Sequence, residues 1–496
     1  MHLAIFTCRM LRLNHQSRAE RATALLFLAV AAVLGWRSLV DVDLGWHLAT
    51  GLWIIDHFRV PVLDPFGAQA WAYLCYSWLF ETVVAWIYEF GGFKALQLAQ
   101  TFLILLSALV ALAAPTVRGD AVGGPAKAIA SGVVMLFLVP IWHLRPQLVS
   151  VILFPIVLWA LKNRRSALAV ITTVVWANVH VYWVFSPIAA GSLLVLDSAL
   201  KRDIRGFRRG AILACVLSLA GFATPFGIEM YRGLFTYAFN HAAANELIRE
   251  FQPLQIDFGY LGVLVAASAM TIVSRFRVVR TSTTAGEWCL FLLFLVWGVL
   301  RIKLLPFYGL VSAPLLLRAT ARGVPTAPLA RGNRVLEVFL GVVLAALLFL
   351  FFQPAPPLSQ KYRELLAVTA RLSTMERDRG RTRQEIVLNH FDDGGWLALG
   401  FYLTDRTDRA QFRTAIDGRT LVMGERRLRE FQKLRLGGHD GCAVVSLWRP
   451  DLAVLPAAGT FVETLINQCQ PRWTVVFDLG HWVVLRRGPV LERGVQ

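Results

Sequence analysis

Asp41-Val42-Asp43-Leu44-Gly45-Trp46-His47 brings two carboxylates, an indole and an imidazole into one short stretch, directly after the first long apolar run. Ionisable groups at a membrane boundary are costly to desolvate, so a cluster of them there marks a site. Desolvation raises a carboxyl pKa, which suits Asp43 or Asp41 to act as a general base taking a proton from a hydroxyl. The same residues also suit a plainer role, marking the polar end of a span or capping the next helix. His47 is placed to orient a carboxylate or contact a phosphate, and equally to be a hydrogen-bonded surface histidine.

A second set of cations stands at other helix ends: Arg145 in His143-Leu144-Arg145-Pro146-Gln147, and the pair Arg301 and Lys303. Arg binds phosphate through a planar fork and Lys as a point charge, so a phosphate or pyrophosphate leaving group is their natural partner. Snorkelling to lipid headgroups is the alternative. His143, His180 and His241 add imidazoles, but no spacing among them argues for zinc. Glu246, Arg249 and Glu250 suit either contact with an acceptor or a solvated helix face.

The elements that must carry these residues are read from composition and charge. Of 496 residues, 56% are hydrophobic and only 17% charged, with repeated long apolar runs, as in a polytopic membrane protein. The net charge of +18 would suggest nucleic acid in a soluble chain, but here Lys and Arg fall between apolar runs, where they set orientation. No nucleic-acid partner is expected. The start, Met1 to Thr23, lacks the form of a cleavable signal, so the first apolar segment is expected to stay as an anchor.

Cytoplasmic loops collect Lys and Arg. Placing Arg9 to Arg21, Arg118 with Lys127, Lys162 to Arg165, Lys201 to Arg209, Arg275 to Arg280 and Arg318 to Arg334 inside makes the apolar runs alternate without conflict. Those runs are 22–40, 93–115, 127–142, 147–161, 166–180, 182–200, 210–224, 259–274, 286–300, 303–317 and 335–353, about eleven spans. Trp78 to Tyr88 then has no place as a span, and its apolar residues at helical spacing predict a helix lying on the outer surface; the alternative is that it crosses, which would put Arg118 outside. The outer side collects the loop 41–92, the Arg145 kink, the break at His180, residues 225–257 and Arg301 to Lys303.

Residues 354–361 are Pro-rich and read as a linker. The remainder, 362–496, alternates helix (362–379), strand (385–390), helix (395–402), strand (412–416), helix (425–434), strand (442–448), helix (459–467) and a strand pair (473–478, 482–487). That order predicts a small α/β domain with a mostly parallel sheet. Within it Asp392-Asp393-Gly394-Gly395 and Asp417-Gly418-Arg419 follow strands, positions that suit ligand binding and turn chemistry alike. Cys442 and Cys469 are placed to pair or to remain thiols.

Asp41-x-Asp43-x-x-Trp46-His47-Leu48-Ala49-Thr50-Gly51-x-Trp53-Ile54, Pro61-x-x-Asp64-Pro65-Phe66 and Trp78-Leu79-x-Glu81 resemble the first outer loop of polytopic bacterial GT-C-class glycosyltransferases. These are relatives of the polyprenyl-phosphate-sugar-dependent protein mannosyltransferases and the lipid A aminoarabinose transferases. Arg145-Pro146-Gln147, Trp176-x-Asn178-x-His180 and the tail from Asn389 are similar to the same group.

The resemblance implies a GT-C-like helical bundle (1–353) followed by the α/β domain. It implies a polyprenyl-phosphate-sugar donor held among membrane lipid, and a glycan, lipid or protein acceptor. It places Asp43 as base, Asp41 as second choice, and His47, Glu81, Arg145, His180, Arg301 and Lys303 at the substrate. It also implies the bacterial inner membrane, with the N-terminus cytoplasmic and the tail outside. Two departures stand out: Gly45-Trp46 replaces paired aromatics before the His, and Tyr76-Ser77 replaces a His-Glu pair. Metal-using relatives supply a further acid from a later outer loop, which the Arg145 kink lacks, so no cofactor or divalent metal is expected. A flippase for a lipid-linked anion, which would carry charges at mid-membrane and internal symmetry, and a non-catalytic envelope scaffold are the rival readings.

Overall fold

The computed structural model describes residues 18–115, 124–239, 242–255, 259–321, 355–378, 383–406 and 411–488. The chain forms two compact units. One comprises Met1–Arg37, Gln97–Ala223 and Glu250–Ala355; the other comprises Ser38–Leu96, Thr224–Arg249 and Pro356–Gln496. The first outer loop therefore shares a unit with the tail.

The first unit is helical. Helices fill every expected apolar stretch from 22–40 to 303–317, and the stretch 335–353 lies outside the described residues. Among the described residues four helices are long and apolar enough to cross a membrane: Trp78–Ala113, Val181–Leu200, Ile204–Ala223 and Ile302–Ala321. Six shorter apolar helices join them, the pattern of a multi-pass membrane protein. Ile171, Ile212, Val263 and Met270 are exposed on their helices, as side chains facing lipid rather than water would be.

The core of this unit is aromatic. Phe154, Phe185, Phe294 and Phe307 meet with ring centroids 4.9–6.1 Å apart, mostly edge to face, the arrangement that ring quadrupoles favour. Small residues let helices close up: a Cβ at Gly286 would stand 2.2 Å from the carbonyl oxygen of Ser192. At one end of the Pro146–Lys162, Ala285–Leu300 and Ile302–Ala321 helices, Glu287 accepts from Lys162 Nζ at 2.6 Å and Arg318 at 2.8 Å. Two cations assigned by charge to the cytoplasmic side thus share one carboxylate.

The helix from Trp78 is not continuous. Gly91 and Gly92 interrupt it with extended and left-handed backbone, Gly92 at φ 60°, where a side chain would be strained. The Trp78 segment and the apolar run from Phe93 are therefore separate rods, and Val83, Trp86 and Phe90 are exposed along one face of the first.

The tail builds a five-stranded sheet in the order β2-β1-β3-β5-β4, from β1 (Glu385–Asn389), β2 (Phe412–Thr414), β3 (Leu452–Pro456), β4 (Trp473–Leu479) and β5 (Trp482–Arg487). β1 pairs in parallel with β2 and β3, and β5 runs antiparallel to β3 and β4. Helices Gln360–Asp378, Gly394–Thr404, Thr420–Leu436 and Thr460–Asn467 match the expected ones. One expectation fails. Residues 442–448 are not a strand but lie within the helix Gly438–Trp448, where Gly441, Val444, Val445 and Trp448 are buried on one face. The strand is instead β3, whose Leu452 to Leu455 are wholly buried, so it shows no alternation to betray it. Cys442 and Cys469 are joined by a disulfide.

The first outer loop completes this unit. Phe66 O accepts from Thr414 N at 3.0 Å and Ala68 N donates to Thr414 O at 2.9 Å, adding the loop to the free edge of β2. The Leu44–His57 helix lies against Gly394–Thr404 through two glycines. A Cβ at Gly45 would stand 2.5 Å from Trp396 N, and one at Gly395 would stand 2.9 Å from Trp46 N.

Gly45 is helical, where Ala would stabilise by about 1 kcal/mol if space were open. Against backbone that cannot yield, Gly45→Ala is expected to destabilise by about 1–3 kcal/mol. A lowered unfolding midpoint of the purified full-length protein checks this; a raised midpoint would refute the close approach.

Candidate functional site

Asp43 precedes the Leu44–His57 helix but does not cap it: its backbone is already helical (φ −85°, ψ −19°) and its carboxylate makes no bond to the helix N–H groups. That carboxylate accepts from Trp46 Nε1 at 3.2 Å instead. Asp41 is more deeply buried, and its Oδ1 accepts from Asp43 N at 2.8 Å while its carbonyl accepts from Trp396 Nε1 at 2.9 Å. Asp41 thus shapes the turn that presents Asp43.

The tail surrounds this pair with further acid. Tyr362 stacks on Trp396 with centroids 4.3 Å apart. Burial, and then the charges of Asp393, Asp41, Asp392 and Asp43, push its phenol far above the usual range. Asp393 is bound by Lys361 Nζ at 2.6 Å, and burial raises its carboxyl against the pull of that lysine.

His47 and Glu81 meet one turn further along. His47 Nδ1 lies 3.1 Å from Glu81 Oε1, and Ser77 Oγ (2.7 Å) and Cys75 Sγ (2.8 Å) also donate to this carboxylate. Glu81 is 0% exposed. Its oxygens are engaged by the loop itself, so Glu81 and His47 brace the Leu44–His57 helix against the Trp78 segment. Gly51 permits the approach, since a Cβ there would stand 2.0 Å from Glu81 O.

The deepest ionic group joins the loop to the tail. Arg419 donates to Asp417 Oδ2 at 2.6 Å and Oδ1 at 3.0 Å, and its Nη1 lies 2.8 Å from Asp64 Oδ1, all three side chains 0–2% exposed. Its guanidinium also faces the rings of Tyr73 and Phe66, at 5.0 and 5.6 Å. Burial raises the Asp64 carboxyl, with Arg419 opposing, and the two carboxylates hold Arg419 well above its ordinary value despite its burial. Asp417 and Arg419, positions that suited a ligand or a turn, are spent on this structural pair. The Asp64-Pro65-Phe66 motif was the only sequence signal that could have found its partner. Glu246 and Glu425 dock the segment before residue 250 onto the tail: Arg429 donates to Glu246 Oε1 at 2.9 Å, and Ala243 N to Glu425 Oε2 at 2.8 Å.

The cations belong to the first unit. Arg145 flanks the Pro146–Lys162 helix in extended conformation and donates to Glu250 Oε2 at 3.4 Å. Lys303 is buried with Nζ 3.1 Å from the centroid of Phe251, and its carbonyl accepts from Gln147 Nε2 at 3.0 Å. Arg301 ends the preceding helix in extended backbone, and its charge, like that of Glu250, acts on Lys303. Glu250 and Phe251 therefore bring Arg145 and Lys303 to one helix-end cluster, with Arg301 near enough for its charge to act on Lys303; Phe251 carried no sequence signal. Arg37 bonds the carbonyl of Trp142 and lies 3.4 Å from His143. His180 is buried beside Ser150 Oγ at 2.9 Å, which also accepts from Trp176 Nε1. His241 lies outside the described residues. Among the described residues no group of three or more His, Cys, Asp or Glu is arranged to hold a metal ion.

No family model matches the chain, and no curated protein matches it. Solved structures do. The archaeal oligosaccharyltransferase AglB from Archaeoglobus fulgidus, in complex with an inhibitory peptide and a dolichol-phosphate, is similar with a TM-score of 0.57 and 12% identity over 89% of this chain and 70% of that one. The same oligosaccharyltransferase tethered with an acceptor peptide gives 0.57 and 12% over 87% and 69%. ArnT from Cupriavidus metallidurans in the apo state gives 0.49 and 15% over 94% and 98%.

Removing Arg419 would leave Asp64 and Asp417 buried without a counter-charge. Arg419→Leu is expected to destabilise by about 3–5 kcal/mol at neutral pH. A carboxyl raised by folding stabilises below its unfolded value and ceases to as pH rises through the folded one. The deficit should therefore shrink on acidification, as Asp64 takes a proton. Unfolding midpoints of wild type and variant across an acid-to-neutral series check this, and a constant gap would refute it.

Proposed function

On the GT-C fold that this chain has, we propose an integral-membrane glycosyltransferase that moves a sugar from a polyprenyl-phosphate-linked donor to an acceptor hydroxyl on the extracytoplasmic face. Asp43 takes the hydroxyl proton as the acceptor oxygen bonds to the anomeric carbon. The bond from that carbon to the phosphate oxygen breaks, and the lipid phosphate leaves carrying the electron pair. Arg145, Arg301 and Lys303 stabilise the negative charge that grows on it, an interaction stronger in the transition state than in the ground state. His47 and Glu81 hold the helix behind the base, and His180 braces the Arg145 helix from within.

The observation that carries this reading is the Asp43 carboxylate, half-buried at a helix start that its side chain does not cap and hydrogen-bonded by the Trp46 indole of that helix. Asp41 is already engaged in shaping the turn, which supports Asp43 over Asp41 as the base. The cluster of Arg145, Arg301 and Lys303 supports an anionic leaving group, and dolichol-phosphate in the AglB complex is a ligand of that class. The tail disulfide supports placing residues 362–496 in an oxidising compartment.

Asp43→Asn is expected to lower product by about 10²–10⁴-fold, the usual contribution of a general base. Arg145→Ala is expected to reduce it by a smaller factor. Both are checked by mass spectrometry of the glycans and glycolipids of the producing cell, with variant protein present at the wild-type level. An unchanged profile in Asp43→Asn would end the proposal. Loss of product on deleting residues 358–496, with Asp43→Asn fully active, would favour the scaffold reading.

A further inference from the structure

The Asp43 carboxylate has a neighbour on the tail. Gly418 follows β2, and a Cβ on it would stand 2.6 Å from Asp43 Oδ1, 3.8 Å from Asp43 Cγ and 3.4 Å from Trp46 Nε1. Its φ lies outside the left-handed region, so the backbone does not demand glycine there. Space does. Gly418 itself is held rigidly, because Asp417 and Arg419 on either side of it form the buried pair with Asp64 and Arg419 N donates to Asp417 Oδ1 at 2.8 Å. On the other flank, Trp46 is packed on Gly395 and donates to the same Asp43 oxygen.

We propose that the tail turn Asp417-Gly418-Arg419 and the Trp46 indole together position Asp43, with Gly418 and Trp46 as the positioning residues. The inference rests on reading Asp43 as the base. The indole supplies one directed hydrogen bond to the charged carboxylate, and the glycine backbone closes the other approach, so the carboxylate keeps one rotamer. A small displacement of a base is costly, since errors near 1 Å can cost about a hundredfold in rate. The tail is then a working part of the site rather than an appendage to it.

Geometry is tested apart from function by the double variant Asp43→Cys with Gly418→Cys in the full-length protein in membranes. A Cβ at 418 would stand 3.8 Å from Asp43 Cγ, the atom whose place the sulfur of a cysteine at 43 takes, which brings the two thiols within reach of disulfide geometry, so mild oxidation should cross-link the two. Function is tested by product formation from native lipid-linked donors in membrane vesicles of the producing cell, across a pH series. Gly418→Ala is expected to fall about a hundredfold with its unfolding midpoint kept. Trp46→Phe removes a bond to the charged form, so the acidic limb of its pH profile should move to higher pH. Asp41, Asp392, Asp393 and Lys361, the charges grouped around Tyr362, and Asp417 and Arg419 on either side of Gly418 are unaltered in both.

Absence of the cross-link overturns the proposal whatever the activities. A cross-link together with wild-type rate in Gly418→Ala, or an unmoved acidic limb in Trp46→Phe, also overturns it while leaving Asp43 as base. Full activity in Asp43→Asn removes the base itself, and the positioning role with it. Should Gly418→Ala fail to fold, the cross-link and the Trp46→Phe profile decide.

Discussion

Arg419 is buried between Asp64 and Asp417, and the unit that carries the first outer loop depends on that arrangement. A guanidinium taken out of water is tolerated only when its donors meet acceptors in fork geometry, and two carboxylates taken out of water require the cation between them. Asp64 comes from the loop, and Asp417 and Arg419 from the tail. The requirement is mutual, so neither segment can bury its charge alone. Once the pair is made, the neighbouring contacts follow: Phe66 and Ala68 bond Thr414, and Gly418 comes against Asp43.

Two features of the first outer loop follow from its packing. At Gly45 the space a side chain would fill is occupied by the backbone of Gly395 and Trp396. Ser77 Oγ is turned inward and donates to Glu81. In α/β sheets the ends of parallel strands commonly receive a ligand. Here the residues after β1 and β2 receive the first outer loop of the same chain, with Asn389 tying the two strand ends by bonding Ile416 O at 2.7 Å.

The helical unit obeys a different constraint. Its apolar faces suit lipid, where no water is at hand to satisfy polar groups, so charge gathers at helix ends, and several of the described charges are paired there. Glu287 gathers Lys162 and Arg318, while Glu250 and Phe251 gather Arg145 and Lys303. Between those ends the core is aromatic rings and small residues.

Much of this was legible in the order of residues. Long apolar runs located the helices because a bilayer-spanning segment must be apolar throughout, and alternating pattern in the tail located most of its elements. The acids at 41 and 43, and the cations at 145, 301 and 303, could be singled out because charge is rare in such a chain. Residues 442–448 misled because β-branched Val444 and Val445 favour a strand locally, whereas tertiary packing of one face made them helical. The sequence could not reveal that Asp43 leaves its helix uncapped, that Glu81 is enclosed by its own loop, or that Arg419 closes on Asp64 across more than three hundred residues. Local propensity determines which segments can be helix or strand; how deeply each carboxylate is buried and which cation it meets depend on distant backbone, and only folding brings that backbone near.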